Sequence, residues 1–337
     1  MFDFKYIAIF PKIMAWRNSL LKDSEIEVAL NMDLSELKDL VKSRLKKVKL
    51  SSDDIISLEK AIKQEGFLFI KSVERFVHGS SKKFFKVWLK LYEVENIKLM
   101  LKILLLGRKD FFHLLFELEP GSKFQADFLR NVNSIDEFLD FMSGTEYYSI
   151  AKDTFPRVLE TRTTFFFDIA IDNYMVAMLK RFYDSLSIFE KGGIEKLFFY
   201  FLESKRILSL YRAKFLFNLG KNECMVLLPE LLGVLSTTRY EMLLEAESEE
   251  KFINLLVEWK IISTKTKEEN YEDYLEYHFF KELRKRAKSG MKKGGFSISF
   301  FLSFFLLHYL NEKNWIALLE AKKEGINIED TMKFLVL

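Results

Sequence analysis

Three segments of this 337-residue chain carry the same arrangement of large apolar and charged residues, and that recurrence limits the available folds more than any other feature. They are "KVWLKLYEVENIKLMLKILLLG" from Lys86, "KLFFYFLESKRILSLYRAKFLF" from Lys196 and "SFFLLHYLNEKNWIALLEAKKEG" from Ser303. Aligned on Asn96, Arg206 and Asn314, they stand 110 and 108 residues apart. Ile97, Ile207 and Trp315 follow directly, and the pairs Met100–Leu101, Leu210–Tyr211 and Leu318–Leu319 come four and five positions after the aligned residue. That spacing places them on one face of a helix. Upstream, Tyr92, Leu202 and Leu310 form a second stripe, out of phase with the first across the charged patches "EVEN", "ESKR" and "NEKN". The pattern predicts a helix, a kink or short break, and a second helix, three times over.

The correspondence extends further towards the N-terminus. An apolar–acid pair followed by an apolar residue recurs as Leu58-Glu59…Ile62, Phe167-Asp168…Ile171 and Leu275-Glu276…Phe279. Earlier still, "LSELKDLV" from Leu34, "SIDEFLDFM" from Ser134 and "SEEKFINLL" from Ser248 each set Ser and acidic residues before an apolar-periodic run, a helix N-cap signal. A fixed order of elements repeated at a long period marks a repeat architecture. We therefore expect an all-α chain of three similar helical domains, 1–110, 111–222 and 223–337. The separators, which include Gly220, Pro229 and Gly233, are too short to act as flexible linkers, so the domains are expected to pack on one another.

Composition supports helices. Only 4 prolines and 13 glycines punctuate the chain, and these are the residues that break helices and make turns. The 35 phenylalanines read as core filler. With 52 basic and 49 acidic side chains the chain lacks the basic excess typical of nucleic-acid binding, and no nucleic-acid partner is expected. Cys224 is the only cysteine, which excludes an intramolecular disulfide. The first residues do not read as a signal peptide. The most apolar window, Phe296–Leu310, is shorter than the roughly 20 residues a spanning helix needs and contains Ser297, Ser299, Ser303 and His308. It reads as a buried helix of a soluble domain, with any membrane association peripheral.

Catalytic constellations are missing from the sequence. His78, His113, His278 and His308 are not paired at zinc-binding spacing, and neither a phosphate-binding glycine loop nor a nucleophile elbow is present. No cofactor is expected. Gly192-Gly193 and Gly294-Gly295 read as helix–helix turns. Glu59, Asp168 and Glu276 occupy equivalent places in three copies, which favours structural or interface roles over acid–base chemistry. Two basic clusters remain, "KSRLKKVK" from Lys42 and "KELRKRAKSGMKK" from Lys281. The second, with Arg284, Lys285, Arg286 and Lys288, reads as a solvated helix face or, more sharply, as a contact for anionic lipid headgroups or an acidic partner.

"YEVENIKLMLK" and "HYLNEKNWIALLEAKKEGINIEDTMKFLVL" resemble the repeated D-x-x-N-(I/L)-(K/R) and C-terminal signatures of the C subunit of prokaryotic V/A-type rotary ATPases, the counterpart of the eukaryotic V-ATPase d subunit. "SIDEFLDFMSGTEYYSI" is similar to that family's L-x-G-T-x-Y element. The chain departs from the pattern at "ESKRI", where Arg206 stands for the Asn, and at "NEKNW", which has no Asp and places Trp315 where a small aliphatic is usual. The resemblance implies a funnel of three helical bundles about a pseudo-threefold axis. It implies a non-catalytic rotor subunit, one copy per complex, peripheral at the cytoplasmic face of the cell membrane. Such a rotor part couples the central shaft to the proteolipid ring and transmits torque between ATP turnover and proton or sodium transport. The charged patches would then line a polar cavity that meets a partner, through Glu95, Asn96, Lys98, Glu203, Arg206, Arg212, Glu312 and Asn314. Two other readings are a helical-repeat scaffold for a different partner and an enzyme, acting on lipid, with an unrecognised site.

Overall fold

The structure, a computed structural model, describes residues 10–17, 20–48, 50, 52–118, 121–228, 235–263, 270–293 and 297–336. Every regular element among them is helical. The chain divides into two compact units, Lys42–Leu186 and a discontinuous one made of the residues up to Val41 together with Ser187 onwards.

The continuous unit contains α4 (Ile55–Glu74), α5 (Gly79–Leu106), the short α6 (Ala126–Leu129), α7 (Ile135–Met142), α8 (Tyr148–Thr161) and α9 (Phe165–Asp184). Its core forms where Val94, Ile97, Met100 and Leu101 of α5 meet Phe138 and Met142 of α7, Phe155 of α8 and Phe167, Ile171 and Met175 of α9. The Phe155 and Phe167 rings meet edge to face with centroids 5.3 Å apart. Each large side chain removed from water in this way contributes roughly 1.5–3 kcal/mol, so the phenylalanines are core material here. Gly107 ends α5 at φ 66°, a left-handed cap for which glycine carries no Cβ penalty.

The discontinuous unit holds α1 (Phe10–Arg17), α2 (Asp23–Asn31) and most of α3 (Leu34–Arg44). These are followed by α10 (Ile188–Tyr211), which runs into a π-helical turn at Arg212–Leu216, then α11 (Lys221–Leu227), α12 (Thr237–Glu245) and α13 (Glu249–Glu258). The long α14 (Tyr271–Lys293) and α15 (Ile298–Lys323) and the short α16 (Ile328–Phe334) complete it. The helices α14 and α15 pack closely at Gly290, where an added Cβ would stand 2.1 Å from Ser303 Oγ and 3.3 Å from Ser303 Cβ. The apolar run of α15 is core, with Phe300, Phe301, Leu302, Phe304, Phe305 and Leu306 all buried. Phe10 of α1 covers Phe300, ring centroids 4.9 Å apart. Among the described residues no helix is long and apolar enough to cross a membrane.

Several local expectations are corrected. The charged patches do not break their helices; α5, α10 and α15 run through "EVEN", "ESKR" and "NEKN" without interruption. A stripe that changes phase demands a kink only if a helix is covered on one side. Here α5 packs against α4, α7 and α9, and α15 against α10, α14 and α16, so the apolar surface shifts side within one unbroken helix. Gly192 and Gly193 lie inside α10, because Ser187 and Glu190 form a capping box that starts the helix ahead of them. In the first copy the cap is Asp33 and not Ser35: Asp33 accepts the Glu36 N–H at 2.8 Å while Glu36 accepts the Asp33 N–H at 3.0 Å. Ser134 and Ser248 cap α7 and α13 as expected. Pro229, Gly233, Gly294 and Gly295 lie outside the described residues.

Candidate functional site

The aligned residues Asn96, Arg206 and Asn314 are all buried, and each reaches the backbone of a segment that follows it by 20 or 22 residues. Asn96 Nδ2 donates to the carbonyls of Phe116 and Phe124 at 2.9 and 3.0 Å, and its Oδ1 accepts the Phe116 N–H at 2.7 Å. Asn314 Nδ2 donates to the Val336 carbonyl at 3.1 Å and its Oδ1 accepts the Val336 N–H at 2.9 Å. Arg206 substitutes a longer donor, with Nη2 reaching the Leu228 carbonyl at 3.2 Å. The Tyr240 hydroxyl donates to that same carbonyl at 2.8 Å, and burial pushes its pKa up to about 12. Buried backbone groups need such partners. At each place one side chain from the middle of a long helix ties down an irregular segment.

The other candidates divide between internal and surface positions. Glu203 and Glu312 are buried. Glu312 lies one helical turn from His308, with Oε1 3.1 Å from Nδ1. Glu95 is exposed. Lys98 on α5 meets Asp172 on α9 at 2.6 Å, and Lys102, one turn on, lies 3.8 Å from Asp168. Burial pushes the Asp168 carboxyl above the ordinary carboxylate range, against the pull of Lys98 and Lys102. Arg212 holds Glu272 at 2.5 Å and Glu276 at 3.6 Å, both on α14. Lys102 and Arg212 each stand six residues after an aligned position, and Asp168 and Glu276 are aligned acids. The same cross-helix pair therefore forms twice, from the long helix of one copy to the acid-marked helix of the next. The eight candidates do not converge on one spot: Glu95, Asn96 and Lys98 belong to the continuous unit and the other five to the discontinuous one.

The basic cluster of α14 resolves into different surroundings. Lys285 is exposed beside Glu282 at 3.7 Å. Arg286 turns back to Glu282 at 2.8 Å and stacks its guanidinium over the Tyr200 ring, 4.2 Å from the centroid. Arg284 is only 6% exposed; its Nη2 meets Asp23 Oδ1 at 2.5 Å, while its Nη1 has no hydrogen-bond partner among the described residues. Lys288 also reaches Asp23, at 3.0 Å. Partial burial raises the Asp23 carboxyl pKa, but the bonds from Arg284 and Lys288 outweigh it and leave the pKa below its ordinary value.

These two cations open into a cavity of about 580 Å³ between α1, α2, α14 and α15. Arg17, Lys22 and Lys292 also line it, and Asp23 is the one carboxylate among its described lining residues. A second depression shares Arg284, Lys288 and Lys292 with it and adds Lys281 and Lys285. The sequence marked the α14 cations but not Asp23, which lies 261 residues before Arg284 and carries no local signal. No group of three His, Cys, Asp or Glu side chains among the described residues could hold a metal ion.

The family model described as "ATP synthase (C/AC39) subunit" matches residues 9–334. The A-type ATP synthase C subunit of Methanocaldococcus jannaschii is 26% identical over 149 residues, which cover 43% of this chain. The aligned stretch spans 36% of that relative's length.

Proposed function

The chain belongs to the C/AC39 family of V/A-type ATP synthase subunits, and we propose that it serves there as a non-catalytic rotor subunit, one copy per complex. It joins the central shaft to the proteolipid ring at the cytoplasmic face of the membrane, and it transmits torque between ATP turnover and ion movement. The family match over residues 9–334 carries this reading. Three similar helical domains, 1–110, 111–222 and 223–337, arranged as a funnel are part of the same proposal. The recurrence of the Asn96, Arg206 and Asn314 anchors supports them, as does the recurrence of the Lys102–Asp168 and Arg212–Glu276 pairs. Torque transmission needs a body that resists deformation, and dense aromatic cores with tied-down loops supply that locally.

Five of the charged-patch candidates are buried, so the side chains available to a partner there are the accessible ones, Glu95 above all. The basic face of α14 is the proposed contact with the ring or its surrounding lipid. Removing Lys281–Lys293 would also remove Leu283 and Ala287 from the core, so substitution is the appropriate test. An affinity-tagged chain is expected to bring down both shaft and proteolipid subunits from detergent-solubilised membranes. Lys281→Glu/Lys285→Glu, both at exposed positions, should reduce proteolipid recovery and leave shaft recovery unchanged. Recovery of neither partner would overturn the proposal.

A further inference from the structure

The cavity between α1, α2, α14 and α15 combines a cluster of cations with an apolar wall. Five basic residues face one carboxylate, and Asp23 already engages two of them, Arg284 and Lys288. Arg284 is more than nine-tenths buried, yet its Nη1 lacks a hydrogen-bond partner among the described residues. A buried guanidinium with an unused N–H is costly unless an acceptor reaches it. The wall beside the cations is built from Met14, Leu20, Leu307 and Met291. An inorganic anion uses only the cations; an anionic amphiphile uses both surfaces.

We propose that this cavity is a binding site for a phosphate group, held by Arg284, Lys288 and Lys292 with Arg17 and Lys22 at its rim. Phosphate suits the site because its several oxygens accept both from a guanidinium fork and from separate ammonium groups. The apolar wall makes the phosphate of an anionic phospholipid the favoured source, with free inorganic phosphate as the other. Asp23 acts as an internal competitor that pairs with Arg284 and Lys288 in the empty site, and the incoming phosphate displaces it from them. The site rests on the geometry of the discontinuous unit and does not depend on the rotor reading.

The test uses the isolated full chain. Its binding is measured to phosphatidylcholine vesicles with and without phosphatidylglycerol, and separately to inorganic phosphate, at a fixed ionic strength. Binding that requires phosphatidylglycerol supports a lipid source, and saturable binding of inorganic phosphate without vesicle binding supports a free one. Arg17→Glu/Lys292→Glu should weaken either by more than about tenfold, since each basic contact to an anionic surface is worth roughly fivefold. Lys152→Glu/Lys196→Glu, the same charge change at exposed positions that do not line the cavity, should alter it less than about twofold. Asp23→Asn should raise affinity severalfold, a gain that misfolding cannot mimic. Absence of binding to both probes, equal losses in the two double variants, or an unchanged affinity in Asp23→Asn would overturn the proposal.

Discussion

Asn314 and Val336 exchange two hydrogen bonds, the Asn314 amide donating to the Val336 carbonyl at 3.1 Å and accepting its N–H at 2.9 Å. One side chain thus satisfies both backbone groups of a buried residue after α16. Asn314→Leu keeps the branched outline of the side chain and strands both groups. Each buried polar group left unsatisfied costs about 1–3 kcal/mol, so the variant should lose about 2–6 kcal/mol. Native-state hydrogen exchange should show the Val336 amide losing protection while amides of α5, in the other unit, keep theirs. Full protection of Val336 in the variant would contradict the anchoring role. Asn96→Leu, which removes three such bonds, should be the more damaging change.

Gly290 and Ser303 set how closely α14 approaches α15. The Ser303 hydroxyl is buried and has no hydrogen-bond partner among the described residues, so it can rotate away from an added methyl, but its Cβ cannot. Gly290→Ala gains helix propensity of about 1 kcal/mol and meets overpacking of about 1–3 kcal/mol. A net loss of about 1 kcal/mol in chemical denaturation is expected, and Ser303→Gly in the same chain should reverse it. If Gly290→Ala stabilises the protein, the contact is not limiting.

Asp54 caps α4, accepting from the Ser57 N–H at 2.8 Å, from the Ser57 hydroxyl and from the Ser52 hydroxyl. The Ser52 and Ser57 bonds hold its pKa down at about 2. A carboxyl whose pKa is depressed by folding stabilises the native state above its unfolded pKa, and loses that contribution as pH falls from about 4 through about 2. Because Asp54 is exposed, solvent screening limits the effect to about 1 kcal/mol or less. Asn is an equally good cap but does not titrate. Thermal melts should place the wild-type chain above Asp54→Asn at pH 7, with the gap closing at pH 2.5. A gap independent of pH would rule out this carboxylate as an acid-sensitive element.

The long helices were legible because apolar residues three and four apart persist through α5, α10 and α15, and two of the three Ser caps stood where their residue types required. A break at each charged patch does not follow from the phase change, because periodicity reports which side of a helix is apolar, not how many neighbours cover it. Alignment singled out Asn96, Arg206 and Asn314 without revealing what they hold. Their partners are main-chain atoms of Phe116, Leu228 and Val336, and a main-chain atom leaves no trace in residue identity. The cavity was half legible: Lys285 and Lys288 look alike in the sequence, yet one meets solvent and the other Asp23. Only the docking of α2 against α14 separates them.

The discontinuous unit has a consequence for synthesis on the ribosome. Residues 42–186 emerge as one uninterrupted stretch and can condense early, but the Leu21 N–H finds its acceptor only when Asn311, 290 residues later, has been made. Lys322 reaches the Leu30 carbonyl across a still longer interval. At about 5–20 residues per second the first helices wait roughly 15–60 s for these partners. A nascent chain halted before α15 leaves Phe10 and Trp16 without Phe300 and His308, the rings they meet on that helix, so synthesis of α15 is also the event that withdraws these aromatic side chains from chaperones and proteases.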